Sequence, residues 1–259
     1  MSTDAANGTN AAQAVVLLHG FPFDRSMWRE QVEFLSARRY RVLAPDVRGL
    51  GENRFEGDIA TMEEMARDVV ALMDESSVED AVICGLSMGC YVAFELVHIA
   101  PARVRALVLA GGRAEGADKA EKHSREQQAR RVLARGLAPS VDNILESLLS
   151  RRTLTEKPDV VAHVRRMVSN TDPRGAAAAQ RGMAARRDYR DDLHEITAPT
   201  LIIAGREDGV RKPIDADVIH RGIRNSRVET IAEAGHLMNM EQPEKFNQLL
   251  IEFLNGLSQ

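Results

Sequence analysis

Short apolar runs alternate with helical periods along most of this 259-residue chain, and that alternation restricts the possible folds more than any other feature. Residues 14–18 (AVVLL) are continuously apolar and closed by His19-Gly20, the pattern of a strand buried on both faces. Aliphatic or β-branched stretches closed by Gly, Pro or Asp recur at 41–44, 81–84, 104–110, 200–204 and 227–231. Between them the period changes. In 61–75, Met62, Met65, Val69, Leu72 and Met73 share one helical face, and Thr61 with Glu64 has capping-box spacing. Near the other end, Pro243 occupies a first helical position, Phe246, Leu249, Leu250, Phe253 and Leu254 form one stripe, and Gly256 closes it. Such alternation predicts an α/β fold: a mainly parallel sheet with helices on both faces, binding ligands beyond the carboxyl ends of its strands.

The middle of the chain breaks the rhythm. Residues 114–193 contain no convincing strand, only helical stretches at 121–136, 140–152, 158–170 and 176–187, separated by Pro139, Pro158 and Pro173. The expected organisation is a flexible polar segment at 1–13, a core made of 14–113 and 194–259, and a helical cap at 114–193. The alanine run 176–179 carries no meaning beyond helix. The length suits one domain with an insertion, and 44 % hydrophobic with 28 % charged residues excludes a disordered or fibrous chain.

A net charge of −4 argues against a nucleic-acid partner, yet residues 113–190 hold 17 Lys and Arg against 10 Asp and Glu. That excess implies either solvated helical faces or an acidic substrate such as a dicarboxylic acid lactone. No apolar run approaches the roughly 20 residues needed to cross a bilayer. The first 13 residues lack the basic start and apolar stretch of a secretory signal, which places the protein in the cytoplasm. Cys84 and Cys90 make neither a disulfide framework nor a metal motif, and read as buried thiols.

The strongest local signal is Gly85-Leu86-Ser87-Met88-Gly89, a G-x-S-x-G set between the apolar run 81–84 and the helical run 90–100. A serine on a tight strand-to-helix turn projects its oxygen over the sheet edge, where the helix N-terminus favours developing negative charge. Ser87 is therefore the candidate nucleophile. Of seven histidines, His98, His123, His163, His194 and His220 fall in or beside helical stretches, and His19 ends a strand as a structural residue. His236 follows the last apolar run in a loop before the final helix, where it reaches the same edge as Ser87, and is the candidate base. Asp208 lies in the loop after 200–204 and is the candidate acid, with Glu207 and Asp215 as rivals; residues 111–113, another common site for this acid, read Gly-Gly-Arg. The backbone N–H groups of Met88 and Phe21 are the expected oxyanion donors. Phe23, Trp28 and Cys90 are expected around the substrate pocket, although packing beneath the sheet competes for Trp28.

Through HGF at 19–21, APDVRGLG at 44–51, GLSMG at 85–89, the 205–208 loop and GH at 235–236, the chain resembles the α/β-hydrolase superfamily. HGFPFDRSMW and GHLMNMEQPEKFN are most similar to the branch of 3-oxoadipate enol-lactonases and related carboxylesterases. The resemblance implies an α/β-hydrolase fold whose cap shapes an acyl pocket, and carries over Ser87, Asp208, His236 and the backbones of Phe21 and Met88. It implies a serine hydrolase acting on a carboxylic ester or lactone, a small-molecule substrate and no metal or organic cofactor. Carbon–carbon bond hydrolysis, perhydrolysis and acyl transfer use the same triad, and a receptor-like ligand binder with little turnover is an alternative of another class. A serine at this position argues against dehalogenase or epoxide-hydrolase chemistry. Two departures stand out. The antiparallel hairpin that usually precedes the first HG strand is expected to be missing or reduced, leaving an edge that a second copy could cover in a homodimer. Cys90 stands where relatives commonly carry glycine, and is expected to narrow the site.

Overall fold

The computed structural model describes residues 13–257. Six strands, β1 (Ala14–Leu18), β2 (Arg41–Leu43), β3 (Ala81–Leu86), β4 (Val104–Ala110), β5 (Thr200–Gly205) and β6 (Ser226–Ile231), form one sheet in the order β2-β1-β3-β4-β5-β6. Every pairing is parallel. No antiparallel pair occurs among the described residues; positions 1–12 of the expected flexible segment lie outside them. Strand order reverses between β1 and β3, and the divergence of the connections there opens a crevice at the strands' carboxyl ends. Leu18 and Leu86 end those two strands, so the loops that follow them, at 19–23 and at Ser87, share the crevice.

Side chains alternate across the sheet with period two. Val16, Leu18, Ile83, Leu107 and Leu109 enter one core, while Val15, Leu17, Val82, Val108 and Ile203 enter the other. The core helices are α1 (Arg29–Ser36), α2 (Met62–Glu75) and α3 (Met88–Ile99). Five helices follow between β4 and β5: α4 (Lys119–Arg135), α5 (Val141–Leu148), α6 (Arg151–Glu156), α7 (Pro158–Asn170) and α8 (Pro173–Ala185). After them come α9 (Pro213–Gly222), α10 (Met238–Glu241) and α11 (Pro243–Gly256). Helices α2, α3 and α9 cover the first core; α1 and α11 cover the second. The α2 capping box forms as its spacing requires, with Glu64 N–H donating to Thr61 Oγ1 at 3.1 Å and Thr61 N–H to Glu64 Oε2 at 2.9 Å.

The stretch read as one helix over 140–152 is two. Leu149 is extended and Ser150 Oγ caps α6 by accepting the Thr153 N–H at 3.2 Å. The alanine run also has a role that helix propensity does not reveal. Ala176, Ala177, Ala178 and Ala179 are all buried, and Ala178 O accepts the Ala60 N–H at 3.1 Å, so small side chains bring α8 against core backbone.

Glu121 near the start of α4 ties the insertion to the core. It accepts from Arg125 at 2.8 Å and from the fully buried Arg186 side chain at 2.9 Å, and pairs with Arg113 just beyond β4. Burial alone would raise the Glu121 pKa; the bonds and charges of Arg186 and Arg125 outweigh it and bring the pKa down to about 2.

Candidate active site

Ser87 stands alone between β3 and α3 with φ 55° and ψ −108°, a left-handed conformation that a non-glycine residue rarely adopts. The turn is that tight because α3 starts one residue later and packs directly over β1. A Cβ at Gly89 would collide with the Leu18 carbonyl, so only glycine permits this approach. Met88 opens α3, where first-turn N–H groups have no intrahelical acceptor.

The Gly20–Phe21 loop is held from below by His19. Its Nδ1–H donates to Gly20 O at 2.9 Å, and its Nε2 accepts the Val47 N–H at 3.0 Å, which requires a neutral ring. Burial lowers the His19 pKa and keeps that state, against the opposing backbone bond to Gly20 and the charges of Asp46 and Asp24. From above, Thr171 donates its hydroxyl to Pro22 O at 2.7 Å. The Phe21 N–H makes no backbone hydrogen bond among the described residues.

Asp208 and His236 come together as their loops predict. His236 Nδ1 lies 2.8 Å from Asp208 Oδ2, and both side chains are buried. A carboxylate can only accept here, so Nδ1 carries the proton and Nε2 is left free. Burial by itself would raise the Asp208 pKa. The hydrogen bond and charge of His236, with the Arg211 and Val210 backbone N–H groups, overcome it and hold the carboxyl below its usual value. Each of those N–H groups donates to Oδ1 at 2.8 Å. The rivals do other things: Glu207 is exposed, and Asp215 caps α9 by accepting the Lys212 N–H at 2.9 Å.

Ser87 and His236 line one cavity of about 500 Å³ beneath α4 and α5. Phe21 belongs to its wall, but the other residues expected there do not. Trp28 is fully buried against Phe246 in the core under α1 and α11, with ring centroids 5.9 Å apart, and Phe23 is in the same core. Cys90 turns into the first core, and its thiol donates to Gly85 O at 3.2 Å instead of narrowing the site. The wall comes largely from the insertion, through Arg125, Gln128, Val132, Leu137, Ile144 and Met183, and from Arg211 on the Asp208 loop. Sequence reasoning named none of these residues: the resemblance placed the cap over an acyl pocket and the basic excess of 113–190 included Arg125, but neither singled out a side chain. Among the described residues no cluster of His, Cys, Asp or Glu is arranged to hold a metal ion, and no helix is long and apolar enough to cross a membrane.

Comparison with known proteins agrees with this architecture. The family model described as alpha/beta hydrolase fold matches residues 13–243. A 3-oxoadipate enol-lactonase from Acinetobacter baylyi is 32 % identical over 251 residues, covering 97 % of this chain and 92 % of the relative. A thermophilic esterase from Thermogutta terrifontis, solved with malate bound, superposes with a TM-score of 0.92 at 36 % identity, over 96 % of this chain and 92 % of that one. The enol-lactonase from Burkholderia xenovorans superposes with a TM-score of 0.86 at 28 % identity, over 94 % and 92 % of the two chains. By that family match and by its all-parallel sheet, the chain belongs to the alpha/beta hydrolase fold family.

Proposed function

We propose that this protein is a serine hydrolase that cleaves a carboxylic ester or lactone through an acyl-enzyme on Ser87. The observation that carries the proposal is the buried His236–Asp208 pair, 2.8 Å apart, whose imidazole lines the cavity that Ser87 enters from its strained turn. His236 Nε2 takes the Ser87 proton as Oγ attacks the carbonyl, while Asp208 fixes the ring and stabilises the imidazolium. The N–H groups of Phe21 and Met88 receive the oxyanion. His236 then protonates the departing alkoxide, and the ester bond breaks to leave Ser87 acylated. Water, deprotonated by the same nitrogen, attacks the acyl-enzyme, and Ser87 recovers its proton as the acid is released. The likeness to enol-lactonases and an esterase supports the bond type.

The test is hydrolysis of a series of aryl esters and lactones by the wild type and by Ser87→Ala of confirmed folding. Steady turnover that disappears in the variant is expected. Equal inertness of both proteins toward every ester and lactone, with cleavage of a vinylogous diketone by the wild type alone, would replace this reading with carbon–carbon bond hydrolysis on the same serine.

A further inference from the structure

Two peptide units of the Gly20–Phe21 loop connect the insertion to the oxyanion site. The Phe23 N–H donates to Gly20 O at 3.1 Å, closing a four-residue turn with Phe21 and Pro22 at its centre. Because a peptide group is planar, the N–H and C=O of one unit turn together. Gly20 O and the Phe21 N–H share one such unit, and Pro22 O and the Phe23 N–H share another. Thr171 donates its hydroxyl to Pro22 O at 2.7 Å. Hydrogen bonds therefore run in series from Thr171 through the Pro22–Phe23 peptide to the Gly20–Phe21 peptide. The series ends at the Phe21 N–H, which makes no backbone hydrogen bond among the described residues. Bonds in series polarise one another, so each one accepted at a carbonyl strengthens the N–H of the same unit.

Thr171 is held firmly enough to anchor such a series. It is 9 % exposed and directly follows α7, and its hydroxyl also lies 2.8 Å from Met167 O in the last turn of that helix. Its branched Cβ restricts rotation about χ1, so the end of α7 sets where Pro22 O can lie. No backbone N–H donates to Pro22 O among the described residues, which leaves the hydroxyl to orient that peptide. Helix α7 in turn packs against α5, whose Ile144, Ser147 and Leu148 line the Ser87 cavity. The same helix meets the core at a second point, where His163 Nε2 lies 2.8 Å from Ser26 Oγ. Ser26 is outside the turn and does not line the cavity.

We propose that Thr171 is a positioning residue through which the insertion aligns the Phe21 oxyanion donor, so that α7 acts on transition-state stabilisation as well as on enclosure of the substrate. The proposal rests on the serine-hydrolase reading above.

The experiment compares the wild type with Thr171→Val, which keeps the shape and removes the hydroxyl, with Thr171→Ser, which restores it, and with Ser26→Ala, which frees α7 at its other contact. Hydrolysis of 4-nitrophenyl butyrate is the first readout. In Thr171→Val, kcat and kcat/KM should fall together by about 10-fold with KM unchanged, less than the roughly 100- to 1,000-fold of losing a donor outright. Thr171→Ser should recover most of this, and Ser26→Ala should keep the wild-type kcat. The second readout is inhibition by butylboronic acid. Ser87 Oγ adds to boron as its proton passes to His236, and the tetrahedral adduct sets an oxygen against the Phe21 and Met88 N–H groups. Its affinity should weaken in Thr171→Val by the same factor as kcat and hold in Ser26→Ala. Unchanged kcat and boronate affinity in Thr171→Val, with turnover still abolished by Ser87→Ala, would overturn the role of Thr171 and leave the hydrolase reading standing. Equal losses in Thr171→Val and Ser26→Ala would overturn it too, by showing that the hydroxyl only holds α7 in place. If the wild type binds the boronate without turning over the ester, the affinities alone decide. If it does neither, the hydrolase reading falls and the proposal with it. Should Thr171→Val fail to fold, Thr171→Cys carries the same decision, its weaker thiol donor placing it between the wild type and full loss.

Discussion

The backbone N–H of Ser150 donates to Oε2 of Glu241 at 2.7 Å, and the other oxygen of that carboxylate accepts the Gly235 N–H at 2.9 Å. Glu241 is fully buried, so one side chain clamps the start of α6 to the loop that presents His236. The clamp is doubled by the His236 N–H, which donates to Leu148 O at 2.6 Å. The insertion thus sets the height of the imidazole as well as roofing the cavity.

Replacing Glu241 with alanine strands two buried N–H donors, each costing about 1–3 kcal/mol. Glu241→Ala should lower stability in urea by about 2–5 kcal/mol and reduce kcat, because the His236 loop loses its tie. Glu241→Gln keeps one acceptor and should lie between it and the wild type. Urea midpoints and steady-state kinetics on the three proteins check this, and equal midpoints would show that the clamp carries no energy.

Gly111 offers a sharper probe of the pair. It has φ +56°, and a Cβ there would stand 3.0 Å from His236 Cε1 and 3.1 Å from Nδ1. Gly111→Ala is expected to push the ring from Asp208 and cost about 10- to 100-fold in kcat, the scale of an ångström of misplacement. The folded state should persist by near-UV circular dichroism. A kcat within twofold of the wild type would mean that the ring has room to yield.

Much of this arrangement was readable because it depends on local pattern. The runs at 14–18 and 104–110 match β1 and β4 residue for residue, since continuous apolar stretches bounded by turn residues leave a buried strand little alternative. The meeting of Asp208 with His236 follows from two loops at the carboxyl ends of neighbouring parallel strands. What escaped depends on tertiary context. Strand β3 runs on to Leu86, beyond a glycine read as a terminator, because Gly85 pairs with Leu18 and Leu109 on either side. Phe23 and Trp28 follow the His19 motif closely in sequence, but their chain dives under the sheet, and adjacency to a motif cannot distinguish wall from core. Arg211 gave no periodic signal, because it reaches the cavity from an irregular loop held by its backbone bond to Asp208.

Both cysteines should be inert in the folded protein. Burial raises the Cys90 thiol to about 12, against the weaker lowering effects of Arg211 and the Ala110 and Ser87 backbone, and pushes Cys84 up as well. Thiolate is the reactive form, so a disulfide reagent at pH 8 should find no fast thiol in the native state and two in strong urea. Rapid native labelling would show that the core beside Ser87 opens readily.

The anchor at Glu121 makes stability depend on acid in a predictable way. Its folded pKa of about 2 lies below its ordinary value of 4.5, so between those values the unfolded chain binds the extra proton. Its contribution is therefore complete above pH 4.5, shrinks as the pH falls, and is gone below about 2. Glu121→Gln cannot ionise and lacks this dependence, while leaving Arg186 fully buried without its carboxylate partner. The difference between wild-type and variant urea midpoints should be largest near neutrality and narrow steadily from pH 4.5 toward pH 2. Comparing the two proteins cancels the titration of other carboxylates. A gap that stays constant over that range would mean that Glu121 is not held ionised by Arg186 and Arg125, and that the insertion is anchored chiefly through α8.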